Sequence, residues 1–426
     1  MPTVLDVIAD QAVRSVFQPI VDLDSGCVVG YEALARGPVG SDLETPAELF
    51  GSARRLGALA ALDDACRIAA FRGALRCGLL APLTLFVNVE PEVLDTAPLD
   101  DLLAIAATAP RELRVVFEIT ERSLGARPAE LLRTVERIRK LGWQIALDDV
   151  GADPASLAFM PLLRPEVVKL DLRFAQERPG PETAAVMHAV SAYAEQSGAL
   201  VLAEGIEDER HLAMARGFGA RLGQGWLFGR PQETLSELPV GELPLPRFVP
   251  ELASSTSPFG VLPASTLLRT ATKGVLIELS KTLEREALGH GSTAIIAATF
   301  QAARYFTPAT ARRYAALADA VGFVCALGEG LRADLLPGVR GANLTADDPV
   351  RGEWDVVVLT PHFAAALLAR DLGDSGPDGE RRFSYALTYH RETVVRAAGA
   401  LLSRIVPAAA DVVVPLADVE PLRDAA

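Results

Sequence analysis

The sequence has little cysteine, no surplus of basic residues and no long apolar run. Its 426 residues include four cysteines, which form no CxxC pair and show no metal-finger spacing, so we expect ordinary thiols in a reducing compartment. The formal net charge of -14 excludes general affinity for polymeric nucleic acid, because phosphate backbones require a basic surface. An acidic protein can still bind a phosphodiester if metal ions supply the positive charge.

The lack of a long apolar run bears on location. No stretch reaches the roughly 20 apolar residues that a membrane-spanning helix needs. The N-terminus lacks the basic region and apolar core of a signal peptide. We therefore expect a cytoplasmic protein without membrane association.

From about residue 16 to residue 231, short apolar runs alternate with longer amphipathic segments. The eight runs are residues 16–21, 31–35, 83–89, 115–120, 144–150, 167–171, 200–205 and 222–228. Repeated alternation of strand and helix favours an α/β fold of the TIM-like (β/α)8 barrel type. A doubly wound open sheet is the alternative, but no GxGxxG follows any strand, which disfavours a dinucleotide-binding fold.

A second, smaller α/β domain is predicted after a segment rich in proline and serine. We assign residues 1–245 to the barrel, 246–258 to the linker, 259–410 to the second domain and 411–426 to an acidic tail. The helices predicted in the second domain are residues 271–287, 309–321 and 392–405. The strands predicted there are residues 293–300, 323–327, 354–360 and 383–389.

Polar residues recur at or just beyond the ends of the apolar runs of the first domain. They are Glu32, Asn88, Glu118, Glu121, Asp148, Asp149, Lys169, Asp171, Glu204, Glu207 and Gln224. Because the C-terminal strand ends of a β/α barrel converge on one face, we expect one ring of oxygen ligands, which suits Mg²⁺ or Mn²⁺. His188 and His211 lie on helical segments outside this ring, which argues against a zinc hydrolase.

The adjacent pair Asp148 and Asp149 is the most informative element of this set. Two neighbouring carboxylates repel each other unless a metal ion or a proton neutralises them, and two-metal sites cleave phosphodiesters. Lys169 can stabilise the negative charge that develops on phosphorus. Any one acidic residue could be surface decoration and the pair could cap a helix, but placement at strand after strand favours a site.

The motifs YEALAR, FVNV, FEITER, LDDVGA, VVKLD, AEGIE and GQGWLFGRP occur in this order from about residue 15 to residue 238. In this set the chain resembles the EAL-domain cyclic di-GMP phosphodiesterases. The resemblance implies a barrel with one antiparallel strand, a homodimer, and hydrolysis of cyclic di-GMP to linear pGpG with two Mg²⁺ or Mn²⁺ ions per site.

The resemblance also implies roles for individual residues. The residues implied as ligands of the first metal ion are Glu32, Asn88, Glu118 and Asp148. Those implied for the second are Asp148, Asp149 and Glu204. Glu204 is also the implied general base, and Lys169 would contact the water nucleophile.

Further residues would bind substrate or support the ligands. The implied substrate contacts are Gln18, Leu34, Arg36, Gln224 and Pro231. Among them, Gln224 would also orient the water or metal shell, and Pro231 would line a guanine pocket. Glu121 and Glu207 would support the ligands from outside.

One loop departs from the family pattern. The family usually has DDFGxGYSSL after the aspartate pair, whereas this chain has DDVGADPASL, with Val150, Asp153, Pro154 and Ala155 at the changed positions. In the family this loop couples the metal site to the dimer interface. We expect catalysis to survive because the ligands do, with an altered rate and altered regulation.

Residues 265–405 resemble the DICT sensory domain through STLLRTATKGVLIELSKTLE, TAIIAATFQAARYFTPATARRYAALA and WDVVVLTPHFAAALLAR. This implies regulation by an unknown signal or protein partner. The domain has no metal, haem or flavin signature, and we interpret His290, His362 and His390 as surface or capping residues.

Two alternatives to an active enzyme stay open. The first is a catalytically weak cyclic di-GMP receptor that signals through the second domain, and the altered loop is its support. The second is a protein-interaction module that keeps the barrel as a scaffold. No GGDEF-like cyclase domain is present, so synthesis of the dinucleotide is not expected.

Overall fold

The first half of the chain forms a closed eight-stranded barrel with its strands in sequence order. The computed structural model describes residues 2–90, 99–120, 125, 127–151, 154–246, 257–374 and 377–406. The barrel strands are β1 (Arg14–Asp22), β2 (Val28–Arg36), β3 (Thr84–Val89), β4 (Arg114–Thr120), β5 (Gln144–Val150), β6 (Val167–Leu170), β7 (Leu200–Ala203) and β8 (Leu222–Gln224). β1 is antiparallel to β2 and β8, while the other neighbours are parallel. The predicted barrel and its single antiparallel strand are confirmed.

Helices surround this barrel. They are α1 (Val4–Ala9), α2 (Pro46–Arg55), α3 (Leu59–Cys77), α4 (Asp100–Ala106), α5 (Pro128–Lys140), α6 (Met160–Leu163), α7 (Leu172–Gln176), α8 (Pro181–Ser197) and α9 (Glu209–Gly217). In α5, Leu131, Val135 and Ile138 recur at helical spacing, and all three are buried. No helix among the described residues is both long and apolar enough to cross a membrane.

An apolar layer fills the interior of the barrel, with one side chain from every strand. Its members are Ile20, Val29, Phe86, Val116, Ala146, Val167, Leu202 and Leu222. Each of these side chains is at most 1% exposed. The layer forms a dry floor beneath the C-terminal rim, where exclusion of water strengthens electrostatic interactions.

The second domain is a mixed eight-stranded sheet in the order β12-β13-β11-β10-β14-β15-β16-β9. Its strands are β9 (Arg269–Thr272), β10 (Ile295–Ala302), β11 (Phe323–Glu329), β12 (Asp334–Leu336), β13 (Val339–Asn343), β14 (Glu353–Leu359), β15 (Ala364–Asp371) and β16 (Arg382–Thr388). Its helices are α10 (Lys273–His290), α11 (Pro308–Ala318) and α12 (Arg391–Leu402).

The predicted second α/β domain is confirmed, and its predicted helices and strands are all present within a few residues. Four strands were not predicted: β9, β12, β13 and β15. The linker and the tail lie mostly or wholly outside the described residues, so the domain boundaries stay predictions.

The two faces of this sheet pack against different partners. Alternate residues such as Ile296 and Val356 contact α10 and α11 on one face. Their neighbours Ala297 and Val357 face the opposite way, into an apolar core that also contains α12 and barrel residues. The barrel and the second domain therefore share one continuous core.

An aromatic pair marks the contact between the two domains. Phe159 ends the 3₁₀ segment Pro154–Phe159, which follows β5, and its ring meets that of Phe323 on β11 edge to face at a centroid distance of 5.3 Å. Phe159 is 3% exposed and Phe323 6% exposed. Edge-to-face pairs add stability beyond the area they bury.

Removing either ring should destabilise the whole chain. We expect Phe159→Ala and Phe323→Ala each to lower the free energy of unfolding by about 3–5 kcal/mol. A double-mutant cycle should give a coupling energy of about 0.5–1.5 kcal/mol between them, measured by urea unfolding.

A second cycle provides the control. Phe383 is also fully buried but packs on the other face of the sheet, against Trp354. The losses in the free energy of unfolding caused by Phe159→Ala and Phe383→Ala should therefore add in the double variant. Additivity of the Phe159 and Phe323 substitutions would contradict a direct contact between the domains.

Candidate active site

The C-terminal rim of the barrel carries a ring of polar side chains directly above the apolar layer. Side chains alternate between the two faces of a strand, so in β3 to β8 the residue two positions beyond the apolar-layer residue also points inward. In β3 to β8 these residues are Asn88, Glu118, Asp148, Lys169, Glu204 and Gln224. Gln18 and Glu32, which pair across the antiparallel ladder of β1 and β2, complete the ring.

The Lys169 ammonium lies at the centre of this ring, and its side chain is 1% exposed. Its Nζ atom contacts four carboxylates, each from a different strand or strand end. The distances from Nζ are 2.7 Å to Glu118 Oε1, 2.8 Å to Glu204 Oε1, 3.0 Å to Asp148 Oδ1 and 3.5 Å to Glu32 Oε2. One ammonium cannot balance four ionised carboxylates, so the ring must take up protons or further cations.

Two amides hold Glu32 in place. Asn88 Nδ2 donates to Glu32 Oε1 at 2.8 Å, and Gln224 Nε2 donates to Glu32 Oε2 at 2.6 Å. Gln224 Nε2 also lies 3.2 Å from Gln18 Oε1, and Gln18 in turn donates to the carbonyl oxygen of Gly229. Burial would raise the pKa of Glu32, but Lys169 and these amides outweigh burial and lower it.

The other carboxylates are less well compensated. Burial, reinforced by Glu32, raises the pKa of Glu118 well above its usual range. Burial also raises the pKa of Asp148, and it raises that of Glu204 to about 8 despite the nearby ammonium. For Lys169, burial lowers the pKa, but the four carboxylates outweigh it and raise the pKa well above its usual range. This environment favours the uptake of further positive charge.

A β-bulge brings the second aspartate to the rim. Between β5 and β6 the register shifts, so that Asp148 and Asp149 together occupy the length opposite Lys169. Asp149 adopts φ of 56°, in the left-handed region, which is uncommon for residues other than glycine. The sequence motif shows the adjacent pair, but not this backbone geometry.

The site's donors suit a hard divalent cation. Asp148, Asp149 and Glu204 each offer one carboxylate oxygen, and these oxygens all lie within 4.8 Å of one another. Glu118 Oε2 is buried without a hydrogen-bond partner, which is costly unless a cation or proton satisfies it. The donor set consists of oxygen atoms, as Mg²⁺ and Mn²⁺ prefer.

The other residues predicted for the site lie around it. Leu34 and Arg36 are half-buried at the end of β2, where burial and Arg14 lower the pKa of the Arg36 guanidinium. Pro231 is half-buried after β8. Glu207 is exposed, and the contact described for it is from its backbone N–H to His211 Nδ1, so the structure does not bring its carboxylate into the ring. Glu121 lies outside the described residues, as does Asp153 of the altered loop.

The sequence reasoning missed an aromatic surface beside the ring. Trp226 is 51% exposed in the loop after β8, and the Arg230 guanidinium lies 3.8 Å from the centre of its ring. A stacked cation and indole present a flat surface to which a base can add. The motif GQGWLFGRP contains both residues, since Trp226 precedes Arg230 by four positions. The stacked pair could therefore have been suspected from the sequence.

Comparisons with known proteins agree with this architecture. A profile of the EAL domain matches residues 3–231, and a profile of the sensory domain in diguanylate cyclases and two-component systems (DICT) matches residues 260–372. Over 227 residues the chain is 30% identical to the cyclic di-GMP phosphodiesterase PA2567 of Pseudomonas aeruginosa, covering 52% of this chain and 39% of that protein. Over 241 residues it is 30% identical to the cyclic di-GMP phosphodiesterase RocR of the same organism, covering 54% and 61%. The chain thus spans less than two thirds of the length of these relatives.

The chain is also similar in part to solved structures. The calcium and cyclic di-GMP complex of BlrP1 from Klebsiella pneumoniae is 27% identical, with a TM-score of 0.48, over 54% of this chain and 58% of that one. The EAL profile covers more than half of this sequence and its match coincides with the observed barrel. The chain belongs to the EAL-domain family and carries a DICT sensory domain after its barrel.

Proposed function

We propose that the barrel hydrolyses cyclic di-GMP to linear pGpG in a reaction that requires Mg²⁺ or Mn²⁺, under control of the second domain. The observation that carries this proposal is the cluster of Asp148, Asp149 and Glu204 oxygens within 4.8 Å of one another, beside the Lys169 ammonium. The substrate follows from family membership and from the activity named for PA2567 and RocR.

Two ions per site are part of the proposal. The residues that would hold the first are Glu32, Asn88, Glu118 and Asp148. The residues that would hold the second are Asp148, Asp149 and Glu204. Bound there, such ions neutralise the phosphodiester and make water easier to deprotonate.

The chain's own groups then act on the reacting atoms. Hydrolysis forms a bond from water oxygen to phosphorus and breaks the bond from phosphorus to the 3′ oxygen, which takes up a proton from solvent water as it leaves. Glu204 accepts the proton of the attacking water as general base. Lys169, held by its four carboxylate contacts, stabilises the negative charge that develops on the oxygens bound to phosphorus.

Substrate binding is assigned to groups at the rim. The Arg36 guanidinium has no carboxylate partner among the described residues, so its planar fork is available to a phosphate. Leu34 lies two residues before Arg36 on β2, and Gln18 lies on β1 opposite Glu32. Pro231 would line a guanine pocket. The Trp226 ring adds a stacking surface for the same base.

Control by the second domain is supported by where that domain packs. The segment after Asp149 continues into the buried Leu157 and Phe159, and Phe159 contacts Phe323 of the second domain. A signal that moves β11 would therefore reach the residues next to the metal ligands. A homodimer, a cytoplasmic setting and support of the ligands by Glu121 and Glu207 stay predictions.

Incubation of the purified chain with cyclic di-GMP and Mn²⁺ tests the proposal directly. We expect pGpG to accumulate, as measured by liquid chromatography, and chelation of the metal by EDTA to stop it. Binding of the nucleotide without pGpG would favour the receptor alternative. Calorimetry that shows no binding at all would favour the scaffold alternative.

Substitution of Glu118 tests the assigned ligand set. Glu118→Gln keeps the shape of the side chain but removes its charge. Loss of a residue that binds the metal directly should lower metal affinity or turnover. The loss should exceed the roughly 10–100-fold that is typical when a residue that only supports a ligand is changed. The matched control is Glu195→Gln on the exposed side of α8, which should behave like the wild type, and unchanged turnover in Glu118→Gln would reject the assignment.

Substitution of Lys169 separates its two proposed effects. Lys169→Met leaves the buried carboxylates without their ammonium and should lower the free energy of unfolding of the metal-free protein by about 3–5 kcal/mol. It should also lower kcat by about 100-fold or more with a smaller change in KM, since the ammonium acts mainly on the transition state. Excess Mg²⁺ should raise the melting temperature of the variant more than that of the wild type. An unaltered kcat would show that Lys169 is structural alone.

A further inference from the structure

Three of the chain's five histidines meet at the junction of the two domains. His188 lies on α8 of the barrel, His290 ends α10 and His362 lies in the turn between β14 and β15. The ring centroids of His188 and His362 are 5.1 Å apart, and those of His290 and His362 are 5.4 Å apart. Elements far apart in sequence, from both domains, thus bring three imidazoles together.

The other two histidines have local structural roles. His211 Nδ1 accepts a hydrogen bond from the backbone N–H of Glu207, and His390 Nδ1 bonds to Thr393 Oγ1. By contrast, among the described residues no hydrogen bond engages the ring nitrogens of His188, His290 or His362. The grouped rings therefore have nitrogen lone pairs free for another ligand.

The surroundings keep the central ring neutral. Burial lowers the pKa of His362, and His290, His188 and Arg391 lower it further. The Arg391 guanidinium itself is occupied by the carbonyl oxygens of Thr360 and Pro361. A neutral imidazole is the form that coordinates a metal ion.

We propose that His188, His290 and His362 form a transition-metal site that joins the barrel to the sensory domain. Zn²⁺ is the ion that we expect it to bind. Three imidazoles and one water complete a tetrahedral shell for Zn²⁺, whereas Mg²⁺ and Mn²⁺ prefer the oxygen donors of the carboxylate ring. The chain would then hold two chemically distinct metal sites.

The three imidazoles must change orientation to share one ion. Among the described residues, the set with all ligand atoms within 4.8 Å is the carboxylate cluster, so the imidazoles must turn toward one another to share an ion. His188 and His362 are exposed and His290 is half-buried. Exposed side chains change rotamer rapidly and at little cost.

An ion held here would act on the barrel through α8. This helix packs beside the segment after β5, and Val186, two residues before His188, would lie 3.3 Å from a Cβ added at Gly151. Gly151 is the second residue after the aspartate pair and has φ of 103°. Because the site needs both domains in place, binding stabilises their docked arrangement by mass action.

The test uses Cu²⁺ as a spectroscopic probe and Zn²⁺ as the ligand, on the full chain in excess Mg²⁺. Electron paramagnetic resonance of the Cu²⁺ form should show coupling to imidazole nitrogens, which the carboxylate ring cannot provide. Isothermal titration should give Zn²⁺ binding that His188→Gln and His362→Gln each weaken by at least about tenfold. The matched control is the His211→Gln/His390→Gln double variant, which should bind as the wild type does.

Several outcomes would overturn the proposal. One is a wild-type Cu²⁺ spectrum without nitrogen coupling. Another is equal Zn²⁺ affinity in the wild type and in both cluster variants, or loss of binding in the control variant instead. Thermal melts without added metal check that the variants fold, and the readouts do not depend on hydrolysis of cyclic di-GMP.

Discussion

The barrel rim depends on the mutual neutralisation of Lys169 and the four carboxylates around it. A buried ammonium without partners would be strongly disfavoured, and buried carboxylates without a cation would repel one another. Each of the four carboxylates comes from a different strand or strand end, so the interaction exists only when the barrel is closed. Because four carboxylates face one ammonium, the contacts that fix the rim also leave it able to accept divalent ions.

The barrel interior holds two layers of side chains, the apolar layer and the polar ring above it. Together they explain how the fold stays stable with buried charged groups. The apolar layer supplies burial without polar atoms, and in β3 to β8 the alternation of side chains then places a polar residue one layer higher. The floor keeps water out from below, which strengthens the contacts of Lys169. The bulge between β5 and β6 brings both Asp148 and Asp149, two of the proposed metal ligands, to the rim.

The sequence predicted the elements well and their long-range contacts poorly. The strand runs and the polar residue at each strand end follow from local patterning, so the barrel and the ring could be predicted. The clamp on Glu32 by Asn88 and Gln224 could not, since it joins β2, β3 and β8. In the second domain, β15 (AAALLARD) has the composition of a helix, and pairing with β14 and β16 makes it a strand. The meeting of His188 with His362 likewise depends on how the domains pack.

The altered loop after Asp149 lies where the packing of the two domains can affect the aspartate pair. Val150, where the family has phenylalanine, is fully buried and belongs to the same core as Phe159 and Phe323. Close-packed cores move between discrete arrangements and do not deform smoothly. A shift of β11 must therefore be accommodated either by Phe159 or by the backbone that leads back to Asp149. A Cβ added at Gly151 would lie 2.4 Å from the Phe174 ring, so the backbone there packs directly on that ring and cannot move toward it. Strain from the second domain would therefore reach the proposed metal ligands within a few residues.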